Sequence, residues 1–119
     1  MASETLLPHP LPDQLAELIA GQFRVLGEPM RIKLLDALRK SDATVQDLQD
    51  ITGASQQNVS KHLGVLLGAG LVSRVKDGNF TRYSIADDGV FGLCEQVCGR
   101  LRHQLDQRQA LLLHAGSSQ

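Results

Sequence analysis

Apolar residues recur every three to four positions in four runs along the first 70 residues of the chain. This spacing places the apolar side chains of each run on one face of a helix. Glycine and proline at residues 27–29, a predicted loop at residues 41–43 (Ser-Asp-Ala) and a glycine at position 53 separate the runs. The pattern therefore predicts four helices, which begin near residue 13, at Pro29, after Thr44 and after Ser55. The last of them ends near Ala69.

Each predicted helix has an inward face that we expect to join the core. The basic residues of the second helix, Arg31 among them, are expected on its outward face. Thr44 and Ser55 have the hydroxyl that an N-cap needs, and Asp47 would complete a capping box with Thr44. The expected inward residues are Leu15, Leu18, Ile19, Phe23 and Leu26 in the first helix, Met30, Leu34, Leu35 and Leu38 in the second, Val45, Leu48 and Ile51 in the third, and Val59, Leu63, Leu66 and Leu67 in the fourth.

The periodicity changes to two between Leu71 and Ile85, which predicts two strands. Residues 77–79, Asp-Gly-Asn, form the predicted turn between them, so the pair is a hairpin. A hairpin directly after two such helices is typical of a wing. One face of the hairpin is expected to carry Leu71, Val75, Tyr83 and Ile85, and the other face Arg74, Lys76 and Arg82.

A fifth helix is predicted from Asp87 to about His114, because acidic residues suit its first turn. Its apolar face is longer than a domain of this size can cover, which predicts a second copy of the chain as its partner. That face is formed by Val90, Cys94, Val97, Leu101, Leu105 and Leu112. The expected organisation is a flexible tail over residues 1–12, one domain over residues 13–114 and a short tail over residues 115–119.

The amino-acid composition limits the kinds of binding partner and the cellular compartment that we expect for this protein. The 119 residues suffice for one domain, and 12 basic against 13 acidic residues leave a net charge of −1, which by itself does not indicate nucleic acid. Three Phe and one Tyr are too few for base-stacking platforms. No apolar run reaches the roughly 20 residues of a membrane span, and no secretory signal is recognised. Two cysteines without an export signal are typical of the cytoplasm.

The polar start of the fourth helix distinguishes a DNA-reading helix from an ordinary packed one. Glutamine pairs bidentately with adenine, while serine and lysine contact bases and phosphates. Between Ser55 and Tyr83, four basic residues stand against one acidic residue. No catalytic or phosphate-binding pattern is recognised, so we do not expect an enzyme. The residues predicted to contact DNA are Thr44, Ser55, Gln56, Gln57, Ser60, Lys61, His62, Arg74, Lys76 and Arg82.

Two segments of the chain resemble the ArsR/SmtB family of bacterial winged-helix repressors. The segment LGEPMRIKLL, residues 26–35, is similar to the opening motif L-x-x-P-x-R-x-x-I/L-L of that family. The segment SQQNVSKHL, residues 55–63, and AGLV, residues 69–72, are similar to its recognition motif. Asp77-Gly78 and Tyr83 stand where the family has its wing turn and closing tyrosine.

The resemblance implies a mainly α winged helix-turn-helix fold and a cytoplasmic homodimer, joined through its first and last helices. Such a dimer binds double-stranded operator DNA as a repressor and releases it when an effector binds. By motif position, Gln56, Gln57, Ser60 and Lys61 would contact DNA. The motif leaves two alternatives for His62, contact with DNA or packing against a neighbouring helix. The alternative function is a protein-interaction module on the same fold, which would carry apolar anchors at the start of its fourth helix.

The effector is less well defined by the motifs. Family members that bind metal through cysteines at the third helix have no counterpart here, since that stretch contains no thiol. A metal site on the last helix would keep only Asp87 and His103, because Gly89 and Arg100 stand at the other two ligand positions. This half-complete site is a candidate for a transition metal ion such as Ni or Zn.

Cys94 and Cys98 share one face of the last helix and are the second effector candidate. Four residues apart, they could bind a soft metal or react as a pair of thiols. The second case would make the chain a thiol- or redox-responsive repressor. Arg100 and Arg102 are expected to face away from them. The alternative is that both cysteines pack as small apolar residues.

Overall fold

The computed structural model describes residues 7–117, and its elements follow the predicted order with one additional strand. The elements are α1 (Asp13–Leu26), α2 (Pro29–Lys40), β1 (Ala43–Thr44), α3 (Val45–Thr52), α4 (Gln56–Gly68), β2 (Val72–Asp77), β3 (Phe80–Ile85) and α5 (Gly89–Ser117). The predicted tail residues 1–6 and 118–119 lie outside the described residues, and residues 7–12 belong to no helix or strand. One compact unit extends to Ala86 and a second begins at Asp87. No helix in this described range is long and apolar enough to cross a membrane.

The core of the first unit confirms the predicted inward faces of α2 and α4. Its fully buried side chains are Leu34, Leu35, Leu48, Val59, Leu63 and Leu66. The prediction for Ile51 is wrong, since its side chain is 63% exposed. Helix α3 has only eight residues, and its inward face is centred on Leu48 and the half-buried Thr52, which turns Ile51 to the edge.

The apolar side of helix α1 is not buried within one chain. None of its residues is buried, and Leu18 and Phe23 are exposed. The other apolar residues of its stripe, Leu15, Ile19 and Leu26, are only half-buried. The stripe has helical spacing, but within one chain it is covered along one edge only.

The sheet has three antiparallel strands in the order β1-β3-β2. Ala43 lies opposite Tyr83, and Thr44 lies opposite Arg82. The predicted loop at residues 41–43 is therefore wrong at Ala43, which is buried in this sheet. A strand of two residues is too short to show a periodicity in the sequence. It is recognisable only once β3 lies beside it.

Helix α5 forms most of the second unit and is longer than predicted. It continues through Ser117 rather than ending near His114, so residues 115–117 of the predicted tail are helical. At its start, the Asp87 carboxylate accepts a hydrogen bond of 2.9 Å from the Gly89 N–H, as expected of a helix-start acid. Its exposed large apolar residues are Leu93, Val97, Leu101, Leu105, Leu111, Leu112 and Leu113.

Candidate nucleic-acid interface

The start of α3 is held by the predicted capping box. The Asp47 N–H donates to Thr44 Oγ1 at 3.1 Å, and the Thr44 N–H donates to Asp47 Oδ2 at 3.0 Å. The hydrogen bond from the Thr44 backbone lowers the pKa of Asp47, and the Thr44 hydroxyl and the charge of Arg82 act in the same direction. The box sets where α3 begins and therefore where the helix-turn-helix begins.

We expect Asp47→Ala to lower the free energy of unfolding at pH 7, and the loss to disappear in acid. Because the pKa is lower in the folded chain than in the unfolded one, the ionised carboxylate stabilises the fold above the usual aspartate range, near pH 4. That contribution is lost as the pH falls through the lowered value. Urea titrations between pH 2 and 7 test this expectation. Asp42→Ala, an exposed loop acid without a hydrogen bond in the described range, is the control.

The turn between α3 and α4 is set by short-range contacts. Gly53 ends α3 with φ of +76°, a conformation that L side chains rarely adopt. Thr52 Oγ1 donates to the Leu48 carbonyl at 2.7 Å and accepts a hydrogen bond of 3.3 Å from the Ala54 N–H. Ser55 then caps α4, because its Oγ accepts from the Asn58 N–H at 3.1 Å, as predicted. The two helices are thus joined by a tight and well-defined turn.

Helix α4 divides into a buried face and an exposed polar face. Val59, Leu63 and Leu66 are fully buried, which fixes the side that the helix turns to the core. The exposed side chains at its start are those of Gln56, Gln57, Ser60 and Lys61. These four residues are the ones that the motif assigned to DNA, and the structure presents all of them to solvent. We call them the reading face.

His62 lies with the buried residues of α4 and outside the reading face. Its side chain is 6% exposed, and its Nδ1 accepts a hydrogen bond of 3.1 Å from Arg31 Nε. The geometry therefore supports the packing alternative. Arg31 is half-buried, so its predicted outward position is wrong. A signal was available, since Arg31 precedes Leu34, Leu35 and Leu38 by three, four and seven residues and shares their helix face.

The wing has a different register from the predicted one. Its loop is the two residues Gly78-Asn79 rather than three, so Asp77 pairs with Phe80. A shift of one residue turns every side chain to the other face. Arg74 therefore lies opposite Tyr83 on one face, with Lys76 beside it, and Val75 lies opposite Arg82 on the other. The predicted inward position of Val75 is wrong, since this residue is 65% exposed.

The three cations of the wing are not equivalent, contrary to the prediction that they share a face. Arg82 Nε forms an ion pair with Asp77 Oδ2 at 3.3 Å. Arg74 and Lys76 are exposed on the opposite face, and no ion pair to either is found between residues 7 and 113. The uncompensated positive charge of the wing is therefore carried by Arg74 and Lys76.

A cleft of about 290 Å³ separates the wing from the helix-turn-helix. Its lining is mainly amide and hydroxyl side chains, together with the exposed ring of Phe80. It is lined by Thr44, Val45, Gln46, Gln49, Gln56, Asn79, Phe80 and Thr81. Such side chains commonly contact phosphate and sugar oxygens. The cleft brings the predicted contacts Thr44 and Gln56 together with the turn of the wing.

Comparison with known proteins identifies the family to which this helix-turn-helix and its wing belong. The profile described as "Bacterial regulatory protein, arsR family" matches residues 28–74, which include the helix-turn-helix. The HTH-type transcriptional regulator Rv0081 of Mycobacterium tuberculosis is 37% identical over 109 residues, or 89% of this chain and 96% of that protein. This chain belongs to the arsR family. It is a DNA-binding transcriptional regulator, and the expectation that it is not an enzyme is confirmed.

Solved structures confirm the mainly α winged helix-turn-helix fold of this ArsR-family regulator. The crystal structure of Rv0081 matches 82% of this chain and 98% of its own, with a TM-score of 0.73 and 35% identity. The homodimeric winged helix-turn-helix DNA-binding domain Mb0332 from Mycobacterium bovis matches 84% and 95%, with a TM-score of 0.66 and 26% identity. A probable mercury resistance operon repressor from Streptomyces lividans is 39% identical over 71 residues, or 60% of this chain and 57% of that protein.

The two candidate metal ligands of this ArsR-family chain lie far apart, because Asp87 precedes α5 and His103 lies near its middle. Gly89 and His103 are 14 residues apart on one helix, which corresponds to about 21 Å along its axis, and the Asp87 carboxylate lies beside Gly89. Asp87 is also engaged with the Gly89 N–H. Among the described residues, no three His, Cys, Asp or Glu side chains lie close enough to hold a metal ion. The two residues of one chain cannot ligate the same ion.

The cysteines of the ArsR-family chain differ in environment. Both thiols are free; Cys94 is half-buried and Cys98 is exposed. Arg102 Nη2 lies 3.9 Å from Cys98 Sγ, which corrects the prediction that this arginine faces elsewhere. Arg102 is one helical turn beyond Cys98, so the two side chains meet on the helix surface. The Arg102 guanidinium is therefore placed to donate a hydrogen bond to the Cys98 sulfur.

Proposed function

We propose that this ArsR-family regulator is a cytoplasmic homodimeric repressor that binds an inverted-repeat operator and releases it when an effector binds. The observation that carries the proposal is the reading face at the start of α4, with Arg74 and Lys76 exposed on the wing that follows. Two such faces related by a two-fold axis would enter successive major grooves about 34 Å apart. An inverted repeat is the operator that matches this symmetry.

Exposed apolar surface supports the homodimer. On α5, the side chains of Leu101 and Leu105 are 54% and 59% exposed within one chain, and on α1 those of Leu18 and Phe23 are also exposed. Apolar side chains at helical spacing gain free energy when a second copy covers them. The homodimeric description of Mb0332 supports the same assembly. We therefore assign α1 and α5 to the dimer interface.

A repressor acts by occupying the promoter, and the description of the Streptomyces lividans relative as a repressor supports this mode. Release requires an effector that binds the DNA-free conformation more tightly than the DNA-bound one. Because α5 carries Cys94, Cys98 and His103, a shift of the paired α5 helices would change the spacing of the two reading faces. The effector would thus release the DNA by changing the distance between the two reading faces, and it would not need to occupy the DNA-binding surface.

The thiol-responsive alternative has its own observation, the guanidinium of Arg102 beside the exposed Cys98 sulfur. Treatment of the reduced, DNA-bound protein with persulfide or peroxide tests it, in parallel with titration by Ni and Zn. The variants Cys94→Ser and Cys98→Ser separate the two candidates. Release that both variants leave unchanged would assign the cysteines to packing, while release by metal that requires Asp87 and His103 would assign the sensor to the partial metal site.

The proposal is tested by a gel shift with fragments of genomic DNA, including the promoter of the chain's own gene. We expect a complex that resists competitor DNA at moderate salt, and a footprint with two symmetric halves. Absence of such a complex from all fragments would contradict the repressor proposal. It would favour the protein-interaction alternative, although the polar reading face offers no apolar anchor for a protein partner.

Gln57→Ala and Arg74→Ala should affect binding in different ways. Loss of a bidentate base contact costs about 5- to 150-fold in affinity for the preferred sequence and leaves non-specific binding unchanged. Loss of a phosphate contact weakens all sequences alike and reduces the salt slope of binding by about one. Affinities for the operator and for a scrambled duplex at several salt concentrations distinguish the two. Arg82→Ala is the matched control, because its charge is compensated by Asp77 and the slope should change less.

A further inference from the structure

Arg31 lies where three helices of the first unit meet. Its Nη1 donates a hydrogen bond of 3.0 Å to the Val25 carbonyl in the last turn of α1. Its Nε donates the bond of 3.1 Å to His62 Nδ1 on α4. Arg31 itself belongs to the first turn of α2. One guanidinium therefore ties the end of α1 to the middle of the helix that carries the reading face.

Both acceptors depend on this arginine. The Val25 carbonyl is one of the last four of α1, which have no N–H partner within their own helix. His62 has a buried side chain, and a buried ring nitrogen needs a hydrogen-bond partner. No other hydrogen bond to His62 Nδ1 is found among residues 7–113. Removal of the guanidinium would leave both groups without their bond.

The direction of the bond defines the state of the imidazole. A guanidinium has five N–H donors and no acceptor, so His62 Nδ1 must carry a lone pair. The ring proton is therefore on Nε2. A planar donor and a planar ring in this arrangement allow little rotation of the histidine about its side-chain bonds. The bond fixes both the tautomer and the orientation of His62.

The orientation of His62 bears on the reading face because of helix geometry. His62 follows Lys61 directly, and it shares the buried side of α4 with Val59 and Leu63. Gln57 and Lys61 are one turn apart on the exposed side. A rotation or slide of α4 that breaks the contact with Arg31 would move both side chains relative to the groove. Base contacts require hydrogen-bond distances near 3 Å, so they are sensitive to such a movement.

We propose that Arg31 and His62 are positioning residues for DNA binding, whose hydrogen bond holds the reading face of α4 in place against the end of α1. Neither side chain contacts the DNA. Because α1 is assigned to the dimer interface, the same bond carries a displacement of that interface to α4. The inference rests on the proposed DNA-binding function, but it requires no particular operator or effector.

The bond itself is tested without DNA, by side-chain ¹⁵N NMR on the full chain. The wild type should show His62 as the Nε2-protonated tautomer with an accepting Nδ1. Arg31→Met should shift the Nδ1 resonance and allow both tautomers. Lys33→Met, which removes the same charge from an exposed site on the same helix, should change nothing. A His62 spectrum that is the same in the wild type and Arg31→Met would overturn the proposal.

The functional role is tested by a double-mutant cycle in operator affinity. Arg31→Met and His62→Leu should each weaken binding by about 10-fold, and the double variant should be no weaker than Arg31→Met, because both changes remove the bond between Arg31 and His62. His62→Asn, which places an amide oxygen near the position of Nδ1, should bind within about 3-fold of the wild type, as expected for a retained acceptor. Effects that add fully in the double variant would contradict the proposal.

The salt slope separates positioning from direct contact. Arg31→Met should keep the slope of the wild type, while a slope reduced by about one would show that Arg31 binds a phosphate and overturn the proposal. If Arg31→Met does not fold, Arg31→Gln serves the same tests, since it also removes the positive charge and its shorter side chain cannot keep both hydrogen bonds. A wild type that binds no fragment would refute the repressor function, whereas the NMR result would still decide the link between Arg31 and His62.

Discussion

Leu101→Asp combined with Leu105→Asp is expected to convert the dimer into monomers and to weaken operator binding by about 10²- to 10⁴-fold. Both side chains are more than half exposed on α5 of one chain, at the spacing of one helix face. In a dimer each would be covered, and two carboxylates in an apolar contact would remain without partners. A monomer keeps one reading face and loses the gain that comes from binding two half-sites at once.

This expectation is checked by sedimentation equilibrium and by gel shift on the same preparations. The matched control is Gln107→Asp, an exposed polar residue on the other side of α5, which should remain dimeric with wild-type affinity. A Leu101→Asp/Leu105→Asp protein that stays dimeric would show that α5 is not part of the interface. A monomer with undiminished operator affinity would refute the two-half-site operator.

Leu63→Ala is expected to lower the free energy of unfolding by about 2–5 kcal/mol. Leu63 is fully buried on α4, so truncation leaves a cavity behind the helix that carries the reading face. Since a small domain has a total stability of about 5–15 kcal/mol, the variant should lose a large part of it. Denaturant unfolding at one fixed protein concentration measures the change, because a dimer's stability depends on concentration.

The adjacent residue provides the control. Gly64 is exposed in the interior of α4, and a Cβ placed there meets no atom within 4 Å. Gly64→Ala should therefore raise the free energy of unfolding by about 0.5–1 kcal/mol through the lower entropy of the unfolded chain. If Leu63→Ala costs less than 1 kcal/mol, or if Gly64→Ala is the more damaging change, the assignment of the two sides of α4 is wrong.

Local features were predicted well because they depend on residues that are close in sequence. The capping box of Thr44 and Asp47, the Ser55 cap and the backbone bond of Gly53 at the end of α3 each join groups that are only three or four positions apart. The exposed reading face follows from the same short-range periodicity, since a buried Val59 and Leu63 leave Gln57 and Lys61 outside. The free energy of these features comes from interactions between residues that are close in sequence, so the sequence pattern is sufficient to predict them.

Several errors concern positions whose structure depends on the register of a strand pair or on a partner distant in sequence. The faces of the wing depend on whether its loop has two or three residues, and that single difference turns Val75 outward and separates Arg82 from Arg74. The strand at Ala43 exists because Tyr83 lies beside it. The periodicity of apolar residues predicts neither the register of a strand pair nor the position of a strand that is 40 residues away in sequence.

For this ArsR-family regulator, the sequence by itself determined the helix-turn-helix, its caps and the residues of the reading face. Periodicity, capping and turn chemistry act within one or two helical turns, so they are contained in short segments of the chain. Only the tertiary structure decided that Arg31 bonds His62 and that Arg82 is paired with Asp77. Both contacts depend on which side chains meet after folding, whereas the sequence pattern placed both arginines in solvent.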